Sequence, residues 1–135
     1  MAKSWSEKLH GAKPAHVSAM TKAMWGLEKG DKLFIATPVM VRDYMKAIRK
    51  GSSRTIAEMR EAFAQAHKAD ATCPMTASIF ARIAAEAALE EMEDGKPATK
   101  ITPFWRLIDE KSPIAKKLSC GTAFVAKMRR AEGIA

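Results

Sequence analysis

The chain has 135 residues, 47% of them hydrophobic and 28% charged, which suits one domain with its own core and excludes a disordered or fibrous chain. Its 23 Lys and Arg exceed its 15 Asp and Glu, and the net charge of +8 makes a polyanion such as nucleic acid the first partner to expect. No stretch approaches the ~18 apolar residues of a membrane span or resembles the apolar part of an export signal, so we expect a cytoplasmic protein without a membrane partner.

The first third of the chain predicts an arm, a short helix and a strand. Residues 1–15 carry scattered charge and end in turn formers, so we expect a loosely docked N-terminal arm, with residues 16–135 forming the single domain. A short helix is predicted from Val17 to Leu27. The apolar run from Leu33 to Ala36 lies between turn residues and predicts a short buried strand.

Two helices follow, and each has a clear start signal. Thr37 and Pro38 suit the N-cap and the first position of a helix that ends before Gly51. Thr55 and Glu58 have the spacing of a capping box, in which each side chain binds a free backbone N–H. This second helix is predicted to run to about His67.

The second half of the chain predicts a long helix, a strand and a final helix. The long helix runs from Thr76 to about Glu93, the strand from Ile101 to Ile108 and the last helix from about Thr122 to Glu132, with a turn at 109–113. The long helix is expected to turn its larger apolar side chains inward, namely Ile79, Phe80, Ile83, Ala87 and Met92. The predicted fold is α+β, mainly α, and is compatible with a winged helix-turn-helix with short strands.

Charge is distributed unevenly along the chain. Residues 1–57 carry a net charge of +7, residues 58–95 carry −5 and residues 96–135 carry +6. The acidic groups crowd the C-terminal half of the long helix, so only its first two turns can approach phosphate without repulsion. We therefore expect the two basic flanks to act as phosphate clamps, although a charge cluster is also typical of an ordinary solvated face.

Three segments carry a resemblance to a known family. They are Ile48-Arg49-Lys50-Gly51 followed by Thr55 and Met59, the stretch KPATKITPFWRLI from Lys96 to Ile108, and Arg130-Ala131-Glu132-Gly133. In order and spacing they resemble the DNA-binding module of the O6-alkylguanine-DNA alkyltransferase family. The resemblance implies a helix-turn-helix and duplex DNA as the partner, including DNA that carries a lesion.

The same resemblance implies that the chain has no alkyl-transfer activity. In that family a cysteine accepts the alkyl group and is activated through a histidine and a glutamate. Phe104 stands at the cysteine position and Trp105 at the histidine position, while Glu132 matches the glutamate. The pattern is similar to that of the alkyltransferase-like proteins, in which an aromatic residue replaces the acceptor cysteine. It implies a non-enzymatic protein that recognises damaged bases in DNA repair, with repair proteins as further partners.

The predicted interface combines phosphate contacts with a base pocket. The residues expected to contact DNA are polar or basic and lie at the start of the helix-turn-helix, on the first turns of the long helix and around the predicted wing: Lys46, Arg49, Lys50, Arg54, Thr55, Thr76, Ser78, Arg82, Lys96 and Lys100. Phe104, Trp105 and Arg106 are expected to form the base pocket, where stacking on an aromatic ring contributes about 1–3 kcal/mol. The competing interpretation is that both rings pack in the core and that Arg106 is structural.

Two alternative functions stay open at this point. One is an alkyl-transfer enzyme that uses Cys73 or Cys120, although a free cysteine is more often a small buried hydrophobic residue. The other is a protein-interaction module that has lost DNA binding. The two cysteines and His10, His16 and His67 show no metal-ligand spacing, so we expect no metal and no cofactor.

Overall fold

The computed structural model describes residues 4–134, which form an α+β fold that is mainly α. Six helices, three strands and two 3-10 turns follow one another in these residues. In chain order they are α1 (Trp5–His10), β1 (His16–Ala19), β2 (Lys32–Ile35), α2 (Pro38–Ala47), α3 (Ile56–Ala66), β3 (Ala71–Thr72), α4 (Pro74–Glu93), the 3-10 turns Ala98–Lys100 and Phe104–Arg106, α5 (Pro113–Lys117) and α6 (Gly121–Ala131). Within 4–134, no helix combines the length and apolar content that crossing a bilayer requires.

The three strands form one small sheet in the order β1, β2, β3. β1 runs antiparallel to β2, and β3 runs parallel to it, with Val17 opposite Phe34 and Phe34 opposite Thr72. β2 matches the predicted buried strand, because Leu33 and Phe34 are buried. β2 leads into α2 and β3 leads into α4, so both helices begin at the same end of this parallel pair of strands.

The helix predicted from Val17 to Leu27 is wrong, because this segment forms β1 and a tight hairpin. Met24 and Leu27 exchange both backbone hydrogen bonds, at 3.0 and 2.9 Å, around the two-residue loop Trp25-Gly26. Both loop residues have positive φ, 55° and 78°, which is the geometry of a type I′ hairpin turn and is incompatible with a right-handed helix.

The N-terminal segment also differs from the predicted loose arm. Ser4 and Glu7 form a capping box that starts α1, and Leu9 is buried in the core. Glu90 of α4 accepts hydrogen bonds from the backbone N–H groups of Trp5 and Ser6, at 2.8 and 2.9 Å. Residues 4–10 are therefore a helix packed on α4, whereas residues 1–3 lie outside the described residues.

The two helices with capping signals begin where the sequence predicts. The Thr37 hydroxyl accepts from the Met40 N–H at 3.1 Å, and α2 buries Val41 and Met45. Thr55 and Glu58 form the predicted capping box of α3. The predicted N-cap residues of both helices, Thr37 and Thr55, are thus confirmed.

Helix α4 packs on the core through its alanines, and Ile79, which was predicted to face the core, lies on the outside. Its buried face is built mainly from small residues: Ala77, Ala81, Ala84, Ala85, Ala87 and Ala88. Small side chains let neighbouring helices approach closely, and this orientation turns Ile79 outward. Ile79 is 52% exposed, so its predicted inward position is wrong. Phe80, Ile83 and Met92 are partly buried against the core.

The strand predicted from Ile101 to Ile108 is wrong, because Phe104–Arg106 form a 3-10 turn and the residues on either side of it are irregular. Pro103 has no N–H to donate to a ladder, and the Leu107 N–H closes an i to i−3 bond to the Phe104 carbonyl at 3.1 Å. The predicted turn at 109–113 leads into a short helix, α5, which Ser112 caps and Pro113 begins.

Candidate nucleic-acid interface

A hydrogen-bonded network joins the end of α6 to the 3-10 turn Phe104–Arg106. The Trp105 Nε1–H donates to Glu132 Oε2 at 3.0 Å. Arg106 donates from Nε to Glu132 Oε1 and from Nη2 to Oε2, each at 2.9 Å. This two-pronged pairing of guanidinium and carboxylate is the geometry that fixes both side chains most firmly.

The same network reaches the connection between α2 and α3. Arg106 Nη1 donates to the Ile48 carbonyl at 2.8 Å, and the Arg106 carbonyl accepts from the Arg54 N–H at 2.9 Å. The Gly51 N–H donates to Glu132 Oε1 at 3.3 Å. Gly51 has a φ of 84°, and a Cβ there would lie 3.3 Å from the Glu132 carbonyl oxygen, so the close approach favours glycine.

The carboxylate of Glu132 is held in its charged form. Its burial alone would raise the pKa, but hydrogen bonds from Arg106, Trp105 and the Gly51 N–H, together with the Arg106 charge, outweigh that effect and lower the pKa of Glu132. Its side chain is 7% exposed and that of Arg106 is 15% exposed. A buried charge held this way fixes the position of the residues around it.

Beside this network lies a cavity of ≈ 300 Å³, which we call the basic cleft. Its lining residues come from the end of α2, the segment between 99 and 106, and the end of α6: Lys46, Lys50, Thr99, Ile101, Pro103, Trp105, Arg106, Met128, Ala131 and Glu132. Lys46 and Lys50 are exposed and form no ion pair among the described residues. The cleft therefore combines free positive charge with an apolar wall and has the size of a small-ligand pocket.

The predicted basic residues between α2 and α3 do come together. Arg49 and Arg54 line a smaller cavity of ≈ 160 Å³ that also includes Ile48, the residue whose carbonyl binds Arg106. Lys100 is exposed beside Thr99 of the basic cleft. Lys96 differs from the rest, because its Nζ pairs with Glu91 Oε2 at 3.3 Å. Thr55 caps α3 through its hydroxyl.

The predicted contacts on α4 lie elsewhere. Ser78 and Arg82 line a different cavity, of ≈ 400 Å³, between α1, α4 and α5, which we call the apolar cleft. Its lining residues are Trp5, Lys8, Ser78, Ile79, Arg82, Ile83, Ile114 and Lys117. The Thr76 hydroxyl is buried and has no hydrogen-bond partner among the described residues. The structure thus divides the predicted interface into two separate surfaces.

The two aromatic residues of the predicted base pocket, Phe104 and Trp105, are buried and do not offer a ring to a base. Phe104 is fully buried, and its ring stacks on that of Phe124 with centroids 6.1 Å apart. Trp105 is 2% exposed and uses its indole N–H on Glu132. Because the segment is a 3-10 turn, the strand alternation that would expose one ring does not exist. Arg106 pairs with Glu132 and the Ile48 carbonyl, which agrees with the competing interpretation that its role is structural.

The two free cysteines differ in their exposure to solvent. Cys73 is buried in a small apolar cluster with Met20 and Leu33. Cys120 is half-buried, and burial, with a contribution from the Glu86 charge, raises the pKa of its thiol despite a local backbone hydrogen bond. A raised pKa leaves little thiolate at neutral pH.

Two residues that hold the site are missing from the predicted set. The sequence does contain a signal for Glu132, because this residue matches the closing glutamate of the alkyltransferase resemblance. The sequence contains no local signal for Arg129. Its Nη1 donates to the Trp105 carbonyl at 2.7 Å, and the two residues are 24 positions apart in the chain. A contact of that sequence separation depends on how α6 packs, which a local pattern does not contain.

Comparison of the chain with protein-family models, curated proteins and solved structures gives no match. Residues 4–134 contain no group of three or more His, Cys, Asp or Glu side chains placed to hold a metal ion. The side chains that line the basic cleft offer cationic contacts, an apolar wall and hydrogen bonding.

Proposed function

We propose that this protein is a non-enzymatic DNA-binding protein of the alkyltransferase-like type, which recognises alkylated bases such as O6-alkylguanine in duplex DNA. The network of Trp105, Arg106 and Glu132 carries this proposal. The three positions that match the family's acceptor, histidine and glutamate are occupied by side chains in contact. The rings of Phe104 and Trp105 have centroids 5.3 Å apart, and Trp105 donates to Glu132 at 3.0 Å.

Phosphate anchoring is assigned to the cations around the basic cleft. Lys46, Arg49, Lys50 and Arg54 surround the α2–α3 connection, and the exposed Lys100 follows Thr99, which lines the cleft. Long exposed cations next to a fixed backbone suit a polyanion, because each phosphate contact releases condensed counterions. Thr76, Ser78, Arg82 and Lys96 are not part of this proposed surface.

Base recognition is assigned to the basic cleft itself, not to a stacking wall of Phe104 and Trp105. The apolar side chains of Ile101, Pro103 and Met128 line the cleft, and Thr99 adds a polar group. A base that has left the duplex stack can enter such a site, and damaged or mispaired bases leave the stack at the lowest cost. We therefore expect lesion-bearing duplex to bind more tightly than plain duplex.

The helix pair α3 and α4 is proposed to be the helix-turn-helix of a winged-helix type of domain, in which α4 packs on the core and the DNA contacts come from the residues around the basic cleft. The connector between them is pinned to α3, because Thr72 Oγ1 donates to the Arg60 carbonyl at 2.7 Å and Arg60 Nε donates to the Thr72 carbonyl at 3.2 Å. The segment 98–106, with its two 3-10 turns, takes the place of the predicted wing strand.

The proposal that the protein does not transfer alkyl groups is supported by Phe104 at the acceptor position, by the burial of Cys73 and by the raised pKa of the half-buried Cys120 thiol. Incubation with O6-alkylguanine duplex followed by intact-mass measurement tests it directly. We expect an unchanged mass. A stoichiometric single-alkyl adduct on Cys73 or Cys120 would instead establish the alternative cysteine-dependent enzyme.

A titration of plain and O6-alkylguanine duplex at several salt concentrations tests DNA binding. With about four phosphate contacts, we expect the slope of log K against log salt to be roughly −3.6. The lesion-bearing duplex should bind about tenfold more tightly at each salt concentration. A slope near zero, or no binding at low salt, would show that DNA is not the partner and would favour the interaction module.

A variant that fills the cleft separates base recognition from phosphate anchoring. Ala131 is exposed at the end of α6 and lines the basic cleft, so Ala131→Phe places a ring there without touching the core. We expect this variant to bind plain duplex as the parent does and to lose the tenfold preference for the lesion. Retention of the preference would show that the base is not bound in this cleft. Ala123→Phe, on an exposed α6 position outside the cleft, is the matched control.

A further inference from the structure

The apolar cleft is a second, chemically different surface that the proposed function does not use. It lies between α1, α4 and α5, and four of its lining residues are large and apolar: Trp5, Ile79, Ile83 and Ile114. Its volume of ≈ 400 Å³ exceeds the ≈ 300 Å³ of the basic cleft. No described residue spans the opening of the cleft to cover Ile79, which stays 52% exposed.

The apolar surface continues along α4 beyond the cleft. Met75, Ile79 and Ile83 follow one another at intervals of four residues and so form one stripe along the helix. Met75 is 61% exposed and Ile79 is 52% exposed. A continuous stripe of large apolar side chains on the outside of a helix is typical of a surface that another helix covers.

The charged side chains that line the cleft are all cations. Lys8, Arg82 and Lys117 line it, and no carboxylate is among its described lining residues. Lys8 Nζ lies 4.2 Å and Arg82 Cζ 5.3 Å from the centroid of the Trp5 ring, so both cations are held at the edge of the apolar floor. Arg82 Nε is buried and has no hydrogen-bond partner among the described residues, with Glu86 Oε2 at 3.8 Å.

We propose that the apolar cleft and the Met75–Ile83 stripe bind an acidic amphipathic helix of a partner protein. The apolar side chains of such a helix would fill the cleft at positions i, i+4 and i+7, and its carboxylates would meet Lys8, Arg82 and Lys117. A small anionic molecule in the cleft would leave Met75 uncovered. Duplex DNA would satisfy the cations but has no apolar side chains for Ile79 and Met75, so the observations favour a protein partner.

The test uses the whole chain and a displayed library of helical peptides with randomised surface positions. Selection on the parent protein, with counter-selection on Ile79→Ser, should enrich peptides that have an apolar stripe and an excess of Asp and Glu. An enriched peptide is then labelled and its Kd is measured by fluorescence anisotropy. Both substitutions used here, Ile79→Ser and Lys117→Glu, are on exposed side chains and leave the core intact.

The expected effects are specific to the apolar cleft. Ile79→Ser should weaken the selected peptide about tenfold, because one large apolar side chain loses its buried contact. Lys117→Glu should weaken it about fivefold at low salt and less at high salt. Val17→Ser and Lys22→Glu, an exposed apolar residue and an exposed lysine of the β1 hairpin region, should change the Kd less than twofold.

The other outcomes overturn the proposal and leave the proposed DNA binding to its own test. Failure to enrich any peptide, enrichment of peptides without excess acid, or equal losses in the β1 controls would each show that no acidic helix binds here. Weaker duplex binding by Ile79→Ser and Lys117→Glu, with no peptide enriched, would assign this face to DNA.

Discussion

The basic cleft and the apolar cleft hold their charged side chains in different ways. In the basic cleft, Glu132 is fixed by hydrogen bonds from Arg106, Trp105 and Gly51, and the exposed Lys46 and Lys50 lie around this rigid centre. In the apolar cleft, Lys8 and Arg82 lie over the Trp5 ring, and isoleucines form the floor.

This difference shows how one net charge can support two kinds of recognition. A rigid polar frame with free lysines suits a regular polyanion, since the lysines need only reach phosphates. An apolar floor with cations at its edge suits a ligand that has its own apolar side chains. The net charge of +8 by itself does not distinguish the two.

The largest expected effect comes from removing the centre of the basic cleft. Glu132→Ala leaves the Arg106 guanidinium buried with only the Ile48 carbonyl as a partner, which should cost about 3–5 kcal/mol of unfolding free energy. Urea denaturation measures it, and Glu61→Ala on the exposed face of α3 is the control, expected within about 0.5 kcal/mol. A loss below about 1 kcal/mol would mean that the network does not hold the cleft together.

The same carboxylate predicts a dependence on pH. The pKa of Glu132 is lowered in the folded protein, so its contribution to stability is present above the ordinary glutamate value of 4.5 and is lost as pH falls through the folded pKa. The difference in unfolding free energy between the parent and Glu132→Gln should be constant near neutral pH and should shrink below about pH 4.5. Denaturation at a series of pH values checks this. A difference that grows on acidification would contradict the lowered pKa.

DNA binding should distinguish the two clefts by their lysines. Lys46→Glu with Lys50→Glu should lower duplex affinity at least tenfold and should make the slope of log K against log salt shallower by about 1.8, since two phosphate contacts are lost. Lys8→Glu with Lys117→Glu makes the same change of charge in the apolar cleft and should leave the slope unchanged. Equal effects of the two double variants would show that binding responds only to net charge and that the clefts do not differ in function.

Local signals in the sequence were enough to predict the parts of the fold that depend on neighbouring residues. The capping residues Thr37 and Thr55 and the apolar run at Leu33 each determine structure within a few positions, and the helices and strand they predict are present. The β1 hairpin was missed because the Trp25-Gly26 turn is weaker as a signal than Asn-Gly or Asp-Gly. The predicted 101–108 strand does not form because Pro103 interrupts its apolar run and has no N–H for a ladder.

The candidate site was predictable in its residue types but not in its arrangement. The basic residues between α2 and α3 do cluster, as their proximity in the chain suggests. The division between the basic cleft and Ser78 with Arg82 depends on which face of α4 is buried. The buried face of α4 consists mainly of alanines, which are only weakly apolar. The sequence pattern therefore favoured the larger Ile79 as the inward residue.

The smallest expected effect tests the orientation of α4 directly. Ile79 is 52% exposed, so Ile79→Ser removes little buried apolar surface and replaces one residue of intermediate helix propensity with another. Its unfolding free energy should therefore change by no more than about 0.5 kcal/mol. Val41→Ser is the matched contrast, because Val41 is fully buried in α2 and its substitution should cost well over 1 kcal/mol. A cost above about 1.5 kcal/mol for Ile79→Ser would show that Ile79 is part of the core. In that case the apolar cleft would be closed in solution, and the basic cleft would be the one surface on which recognition depends.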